Sequence, residues 1–447
     1  MERNATQKLI EWNNNKRRKP LIVWGARQVG KTYLIKDIFA ENYYKDNYIY
    51  VDCKIEDEIR NFCAETANAK KIIEYISLLK SKKIAKNTLL IFDEVQECPN
   101  IISSLKYFCQ DFREIPVIAS GSMVRIKIQR ETHKRGSGNN KFLFPVGKIN
   151  QITVYPMSFD EFLKNSNEML YDTVKSAYQS KKPLTKEIHE LALEQVYKYL
   201  LVGGMPEAVA AYIEDYDLFE SREILKVLYD NYLSDMDLYQ ASRESVLRSR
   251  TLFSNIYKEL NKESKNFSPG LIEKNSKTRD YSTSIQWLTM AHIISQSFQL
   301  KEHITTPLMC DNESNFRLFL CDMGMFSYQS GINSSSFISN DKNNTLSGIF
   351  FENFVANELI AKGHKLFYWR GKSDCEFEFI TEFNNKLYPI DVKKGKGTLN
   401  SLKKFANHNK FECAIKVSKN NFGYSKEQKL LTVPFYFFPF VAKDLAE

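Results

Sequence analysis

Residues 25–32 read GARQVGKT and match the spacing G-x-x-x-x-G-K-[ST]. Glycines let a backbone close around an anion because they have no Cβ to clash with it. A lysine at this position can reach the β- and γ-phosphates of a nucleotide, and the threonine hydroxyl can bind Mg²⁺. The pattern predicts a site for ATP and Mg²⁺ with the binding residues Gly25, Ala26, Arg27, Gln28, Val29, Gly30, Lys31, Thr32 and Tyr33.

The segment TLLIFDE at residues 88–94 is an apolar run that ends in two carboxylates. At the C-terminal end of a strand, neighbouring side chains reach the crevice where open α/β sheets bind ligands. We expect Asp93 to hold Mg²⁺ together with Thr32, and Glu94 to orient and polarise the attacking water. The alternatives are a chance glycine loop and a solvated acidic strand end. Both segments occur in the expected order with suitable flanks, which favours nucleotide binding.

Catalysis needs further groups. The apolar run PVIAS at residues 116–120 leads to Ser122, whose hydroxyl we expect to sense the γ-phosphate. ATP hydrolysis also needs an arginine from this chain or from a neighbouring copy, and Arg27, Arg130 and Arg135 all remain candidates. The predicted catalytic residues are Lys31, Glu94 and Ser122.

A third group of reactive side chains lies near the C-terminus. In EFEFI, residues 376–380, the carboxylates alternate with phenylalanines, so Glu378 faces away from the apolar side. Asn384-Asn385 marks a turn, and the returning strand places Asp391 and Lys393 on one face. Such a hairpin brings the three side chains together. Two carboxylates can bind Mg²⁺, and the lysine can activate water for phosphodiester hydrolysis.

Glu352 belongs to the same candidate nuclease site. It shares a helical face with apolar residues, and a carboxylate in that position needs a partner, such as a metal ion. The alternative is an exposed hairpin with cross-strand Glu–Lys pairs.

Buried parallel strands must position the glycine loop at residues 25–32 and the carboxylates of Asp93 and Glu94. LIVW at residues 21–24 and the two later apolar runs suit such strands, and residues 33–39 continue with helical spacing. Further on, residues 185–201 predict an amphipathic helix that Gly203-Gly204 ends. Its apolar face contains Ile188, Leu191, Ala192, Val196, Tyr199 and Leu200.

Residues 245–310 contain helical segments followed by a predicted strand at 293–300. Three helices followed by a β-hairpin is the order of a winged helix, in which the helix at 279–290 would read a DNA groove. Winged helices also serve as protein-packing modules, and this helix has few arginines or lysines. DNA is therefore one of two partner classes that fit the segment.

Composition sets the class of protein. The chain has 447 residues, of which 43% are apolar, and this suits roughly two to four domains. The net charge of +9 permits a nucleic-acid partner without requiring one. Eight cysteines show neither a CxxC pair nor zinc spacing and predict reduced thiols. A charged N-terminus and short apolar runs predict a cytoplasmic protein that does not bind a membrane.

Together these motifs resemble the predicted bacterial and archaeal ATPases that have an AAA-type core and a C-terminal domain of unknown function. The resemblance covers nearly all of the chain, although many members have arginine where Lys148 stands. It is carried by GARQVGKT (25–32), LLIFDEVQECP (89–99), IASGSM (118–123), FPVGKI (144–149), YPMSFDEFL (155–163), LVGGMPEAV (201–209), FRLFLCDMGM (316–325), GIFFENFVANEL (348–359) and YPIDVKKG (388–395).

The resemblance implies an α/β fold with a P-loop AAA-type parallel-sheet core and a helical lid, then a winged-helix segment and a smaller α/β domain similar to restriction endonucleases of the PD-(D/E)xK type. We place the core at residues 1–155, the lid at 156–240, the winged-helix segment at 241–325 and the nuclease-like domain at 326–447. In the nuclease motif, Glu378 replaces the usual aspartate and Asp391 the usual glutamate.

Two functions fit these features. In the first, the ATPase core drives or gates a Mg²⁺-dependent nuclease-like domain that acts on nucleic acid. In the second, the nucleotide state switches the binding of a protein partner, and the nuclease-like domain is inactive. Self-association is compatible with both, and monomer, dimer and ring all remain open.

Overall fold

The computed structural model describes residues 1–122, 144–240, 242–310, 312–332, 346–371, 375–393 and 400–446. Two of the candidate arginines, Arg130 and Arg135, lie outside the described residues. The chain divides into two compact units. The first consists of residues 2–155 with 290–292, and the second of residues 1, 156–289 and 293–447.

The first unit contains a parallel sheet of five strands within its described residues. In chain order they are β1 (Leu21–Trp24), β2 (Tyr48–Asp52), β3 (Leu89–Asp93), β4 (Val117–Ser120) and β5 (Asn150–Thr153). Their spatial order is β2-β3-β4-β1-β5, so β4 separates the strand before the glycine loop from the strand that ends at Asp93. The predicted parallel-sheet core and its three strands are confirmed.

Helices pack against this sheet. They are α1 (Asn4–Asn14), α2 (Lys31–Tyr33), α3 (Glu41–Tyr43), α4 (Asp57–Glu65), α5 (Ala69–Leu79) and α6 (Pro99–Asp111). A π-helical stretch over Leu34–Ala40 joins α2 to α3, so one helical segment begins directly after the glycine loop. Apolar side chains such as Ile59, Ile72 and Ile101 form one core with Phe92 of β3. Their burial stabilises the strand whose end carries the two carboxylates.

The second unit has more helices than strands. The helices are α7 (Phe159–Ser166), α8 (Glu168–Gln179), α9 (Lys186–Val202), α10 (Pro206–Asp215), α11 (Leu218–Tyr239), α12 (Arg243–Leu260), α13 (Ser282–Met290), α14 (Met323–Ser330), α15 (Leu346–Ala361), α16 (Asn400–His408) and α17 (Phe438–Asp444). The strands are β6 (Ile294–Gln299), β7 (Phe316–Leu320), β8 (Leu366–Arg370), β9 (Glu376–Phe377), β10 (Phe379–Phe383), β11 (Lys386–Val392), β12 (Ala414–Ser418), β13 (Gly423–Ser425) and β14 (Leu430–Pro434). Nowhere in the described parts of the chain is a helix both long and apolar enough to cross a membrane.

The helix predicted at residues 185–201 is confirmed as α9. It buries a stripe that includes Ala192 and Val196. Leu191, which the sequence places on the same face, is 42% exposed. At about 100° of rotation per residue, it lies at the edge of the buried stripe. Gly203 ends the helix with a φ of +76°, a conformation that favours glycine.

Strands β6 to β14 form two sheets among the described residues, with the orders β7-β6-β8-β9 and β10-β11-β12-β14-β13. The prediction of one continuous strand over residues 376–380 is wrong, because the chain bends at Glu378. Phe377 pairs with β8, whereas Phe379 pairs with β11. The two phenylalanines are thus buried in different sheets, and the simple alternation of faces ends between them.

The strand predicted at residues 293–300 is confirmed as β6. It pairs antiparallel with β7 and parallel with β8, so part of the predicted winged-helix segment shares a sheet with residues 366–370. The winged-helix assignment and the four domain boundaries remain predictions.

Candidate functional site

The glycine loop spans residues 25–30, between β1 and α2. Gly25 has a φ of +147°, and a Cβ there would lie 2.2 Å from the carbonyl oxygen of Val154. Gly30 precedes the helix with a φ of +81°. Other residues rarely adopt these conformations, so the glycines let the loop close over the start of the helical segment. Backbone N–H groups at such a helix start form an anion-binding site.

Lys31 is the cation of this loop and is only 7% exposed. Its ammonium donates hydrogen bonds to the carbonyl oxygens of Ala26, at 2.7 Å, and of Gly25, at 3.2 Å. Burial lowers the pKa of Lys31 to about 8, although the nearby Glu94 and Asp93 act in the opposite direction. A phosphate would give this buried ammonium the charged partner that stabilises it.

Asp93, at the end of β3, accepts hydrogen bonds from three hydroxyl groups. The Thr32 hydroxyl donates to Oδ2 at 2.5 Å, and the Tyr50 hydroxyl donates to the same oxygen at 3.1 Å. The Ser120 hydroxyl donates to Oδ1 at 2.6 Å. Burial, and then Asp93, raise the pKa of the Tyr50 phenol, so it remains a donor. Three separate elements therefore fix the orientation of this carboxylate.

Tyr50 and Ser120 are not among the residues predicted from the sequence. They lie on β2 and β4, the two strands that flank β3. Ser120 is the last residue of β4, just as Asp93 is the last residue of β3. A polar residue at the end of an apolar run is a signal that could have identified Ser120. Tyr50 has no comparable signal because its role depends on the order of strands in the sheet.

Glu94 follows Asp93 with a φ of +50°, an uncommon value for a residue other than glycine. Its carboxylate accepts a hydrogen bond from the side-chain amide of Gln96, which is buried. The turn in the backbone moves Glu94 out of the strand direction, and the amide holds its side chain. Backbone strain of this kind is concentrated at functional sites.

The remaining predicted residues of the site also lie around the loop. Ser122 follows β4 and is 7% exposed, and Tyr33 is 45% exposed on the helical segment. Arg27 is half-buried within the loop and is the one candidate arginine that the structure describes. Contact of these side chains with a nucleotide remains a prediction.

Thr32 and Asp93 fit the predicted Mg²⁺ ion. Their hydroxyl and carboxylate are hard oxygen donors, the kind that Mg²⁺ prefers, and the two oxygens lie 2.5 Å apart. Magnesium commonly takes one or two protein ligands and completes its shell with phosphate oxygens and water. A bound nucleotide would supply those phosphate oxygens.

In the second unit, Glu378 lies at the bend between β9 and β10 and is 2% exposed. Its Oε2 accepts the backbone N–H of Val392 at 3.1 Å, and its Oε1 lies 3.2 Å from the ammonium of Lys393. The same ammonium lies 3.0 Å from Asp391. The structure therefore brings together the three side chains that the sequence assigns to one hairpin.

Glu352, on α15, has a lysine as its partner. The ammonium of Lys265 lies 2.6 Å from Glu352 and 3.6 Å from Glu376. Arg317, 1% exposed, lies 2.7 Å from Glu376 and 4.0 Å from the centre of the Tyr368 ring. Neither Lys265 nor Arg317 is among the residues predicted from the sequence. Arg317 could have been found, because an arginine within the apolar strand β7 needs a buried partner.

Burial and neighbouring charges both shift pKa values in the carboxylate cluster, which we define as Glu352, Glu376, Glu378 and Asp391. Burial, together with Glu378, raises the pKa of Asp391. Burial also raises the pKa of Glu352, although Lys265 opposes this effect. Burial alone would lower the pKa of Lys265 and Lys393, but the neighbouring carboxylates raise both. The two lysines therefore stay charged.

The carboxylate cluster is paired with ammonium groups as it is arranged here, and metal binding by Glu352, Glu378 and Asp391 remains a prediction. Across the described ranges, no group of three or more His, Cys, Asp or Glu side chains has an arrangement that could hold a metal ion. Lys265 contacts Glu352, and Lys393 contacts Glu378, so ammonium groups supply the positive charge.

Family comparisons assign three parts of the chain. Residues 17–163 match a model described as an AAA domain. This match supports an AAA-type ATPase family. It also supports ATP binding at the glycine loop, which lies within the matched residues. Residues 193–336 and 347–438 match two domains of unknown function, DUF8612 and DUF4143. No curated protein matches the chain.

Several solved structures are distantly similar. A Walker-type ATPase of Pyrococcus abyssi is 14% identical with a TM-score of 0.42, and the match covers 73% of this chain and 95% of that one. The ORC1 protein of Aeropyrum pernix in complex with DNA is 10% identical with a TM-score of 0.29, covering 76% and 95%. AMPPCP-bound DnaA of Aquifex aeolicus is 16% identical with a TM-score of 0.27, covering 64% and 85%. Similarity at this level does not define the function of this chain.

Proposed function

We propose that this chain binds ATP with Mg²⁺ at residues 25–33 and hydrolyses it with the help of Asp93 and Glu94. The observation that carries the proposal is the hydrogen-bond network of Asp93, which joins the threonine after the glycine loop to the end of β3. The AAA-domain match over residues 17–163 supports it. An ATPase site needs both parts at one edge of a parallel sheet.

Each residue has a role that follows from its position. The loop N–H groups and the Lys31 ammonium bind the β- and γ-phosphates. Thr32 and Asp93 hold Mg²⁺, which when bound neutralises charge on the phosphate oxygens. Glu94 orients the attacking water and accepts its proton. Ser122 donates a hydrogen bond to the γ-phosphate.

The transferred phosphoryl group also needs a positive charge beside it in the transition state. Arg27, within the loop, is the described candidate for this role, and Arg130 and Arg135 remain the others.

Release of inorganic phosphate from ATP tests this proposal. We expect steady-state release with Mg²⁺ and loss of that release when a chelator removes the ion. Purified chain that binds ATP with Mg²⁺ but never releases phosphate would restrict the site to nucleotide binding.

For the second unit, we propose that the nucleotide state switches the binding of a protein partner or of a second copy. The carboxylate cluster favours this function over cleavage of nucleic acid, because its four carboxylates are paired with Lys265, Arg317 and Lys393. Replacing those internal ion pairs with a metal ion would leave Lys265 and Arg317 without partners, and an unpaired cation inside the protein is costly.

Two experiments separate the switch from the nuclease. Incubation of the chain with plasmid, linear duplex and single-stranded DNA, with Mg²⁺ or Mn²⁺ and ATP, should leave all three uncut. Limited proteolysis should give different cleavage patterns within residues 156–340 for ADP and for a non-hydrolysable ATP analogue, and a Lys31→Ala variant should lose that difference. DNA cleavage, or identical patterns in the unmodified chain, would contradict the proposal.

A further inference from the structure

A cavity of about 680 Å³ lies within the second unit. It is formed by the face of the sheet β10-β11-β12-β14-β13 together with the helices α8 and α17. None of the four carboxylates of the cluster lines it. The cavity is therefore separate from the carboxylate cluster.

The floor of the cavity is a sheet face with apolar and aromatic side chains. Ile415 on β12 lies opposite Leu431 on β14, and Leu431 lies opposite Tyr424 on β13. Tyr388 on β11 extends the same lining. Side chains in register on neighbouring strands form a continuous surface. Leu431 is half-buried and Tyr424 is 59% exposed, so the face remains accessible.

Two helices supply an ordered aromatic wall. The ring of Tyr178 on α8 stacks on Phe440 of α17, with 5.4 Å between the ring centroids. The Tyr178 hydroxyl also donates a hydrogen bond to Asp444 at 2.5 Å. These contacts fix the wall in place before any ligand binds, as is common in small-molecule sites.

The rim of the cavity is positive. Lys175, Lys181 and Lys443 line it and are exposed. Asp444 is the one carboxylate among its lining residues, and it already accepts the hydrogen bond from Tyr178. Cationic side chains beside a low-dielectric wall attract an anion to that place.

We propose that this cavity binds a small, flat, apolar molecule that carries one negative charge. The apolar floor and the stacked aromatic wall suit a planar ring system, and the lysines suit its acidic group. The volume is within the range of roughly 300–1,000 Å³ that small-molecule sites occupy. The site gives the second unit a ligand of its own, separate from ATP.

The test uses 8-anilinonaphthalene-1-sulfonate, a planar ring system with one sulfonate, and the full chain with saturating ADP and Mg²⁺ so that the nucleotide site is occupied. We expect one probe molecule per chain. Leu431→Trp fills the floor and should weaken binding at least roughly tenfold, which corresponds to about 1.4 kcal/mol. Lys175→Gln with Lys181→Gln should weaken it several-fold and reduce its dependence on salt.

Met169→Trp is the matched control, because Met169 lies on α8, is 83% exposed and does not line the cavity. This variant should bind the probe like the unmodified chain. If Leu431→Trp does not fold, alkylation of Cys413 by iodoacetamide provides a second measurement. Cys413 lines the cavity, so the probe should slow its reaction and leave that of Cys109 unchanged.

Undiminished probe binding in Leu431→Trp, or no binding by the unmodified chain, would overturn the proposal. An unchanged rate of Cys413 alkylation would do the same. Equal binding by the double lysine variant would overturn the assignment of an anionic ligand.

Discussion

The hydroxyl of Thr32 lies 2.5 Å from Oδ2 of Asp93 and donates a hydrogen bond to it, although the two residues are 61 positions apart in the chain. The contact joins the start of the helical segment after the glycine loop to the end of β3. The other carboxylate oxygen accepts a hydrogen bond from Ser120 at the end of β4, the strand that lies between β1 and β3. The network therefore reflects the order of strands in the sheet.

Lys31→Ala should weaken ATP binding by at least roughly a hundredfold, because hydrogen bonds to a charged group contribute about 1.5–3 kcal/mol each. Titration calorimetry with ATP and Mg²⁺ measures the change. Lys70→Ala is the matched control, since Lys70 is an exposed lysine of the same unit. Equal affinity of Lys31→Ala and the unmodified chain would contradict the role of the ammonium.

Gly25→Ala should abolish nucleotide binding and lower the thermal midpoint of unfolding. Its Cβ would meet the carbonyl oxygen of Val154 at 2.2 Å, in addition to the strain of a positive φ. Gly147→Ala separates the two causes. Gly147 has a φ of +70°, but no atom lies within 4 Å of its added Cβ. If both variants lose the same stability and both bind ATP, the close approach at Gly25 is unimportant.

Much of the first unit could be predicted because its signals are local. Each part of the phosphate site is a short contiguous pattern, and the apolar runs before Gly25 and Asp93 identify their strands directly. Tyr50 is different. It contacts Asp93 because β2 pairs with β3, and the order of strands is a property of the whole sheet that a local pattern does not contain.

Breaking the Lys265–Glu352 pair should destabilise the second unit strongly. Lys265→Met leaves a buried carboxylate without its ammonium, and such a change costs about 3–5 kcal/mol. Glu352→Gln should also destabilise, and the double variant should lose less than the sum of the two. Denaturant unfolding of the four proteins gives the coupling energy, which we expect at about 1–3 kcal/mol.

The pair of Lys386 and Glu412 is the control for this cycle. Nζ of Lys386 lies 3.0 Å from Oε2 of Glu412, but both side chains are about half exposed. Lys386→Met should therefore change stability far less. Additive effects of Lys265→Met and Glu352→Gln would show that the buried pair is not coupled.

Glu358→Gln should stabilise the protein increasingly as the pH rises. Glu358 is fully buried, and burial, followed by the nearby Asp160, raises its pKa to about 8, although Lys362 opposes this. Its Oε1 accepts the N–H of Phe159 at 2.7 Å, a bond that glutamine can keep. Glu161 also faces the group and raises its pKa further.

The direction of this pH dependence follows from the different pKa of the Glu358 carboxyl in the folded and the unfolded chain. Below about pH 4.5 the carboxyl is neutral in both states, whereas between pH 4.5 and 8 the unfolded chain releases the proton first. The stability of the unmodified protein therefore falls across that window relative to Glu358→Gln, by about 1.4 kcal/mol per pH unit at most. Denaturant unfolding at pH 5, 6, 7 and 8 measures the difference. A constant difference across the four values would refute the raised pKa.

The carboxylate cluster shows where reasoning from the sequence ends. The turn at Asn384-Asn385 was enough to place Glu378 near Lys393, because a hairpin is a local structure, although the alternation predicted for residues 376–380 is wrong. The partner of Glu352 lies 87 residues away in the chain, at Lys265, and nothing near either residue identifies the other. Burial made a partner necessary, but only the tertiary fold determined that the ammonium of Lys265 supplies it.

The most direct test of the central claim is steady-state ATP hydrolysis by the unmodified chain and by Glu94→Gln, with Mg²⁺ and with or without duplex DNA. The account predicts that Glu94→Gln binds ATP normally but hydrolyses it at least roughly a hundredfold more slowly, because only the water-polarising carboxylate is lost. It also predicts that DNA leaves the rate of the unmodified chain unchanged. Hydrolysis by Glu94→Gln at the unmodified rate would contradict the assignment of the site, and stimulation by DNA would favour a nucleic-acid enzyme over the switch.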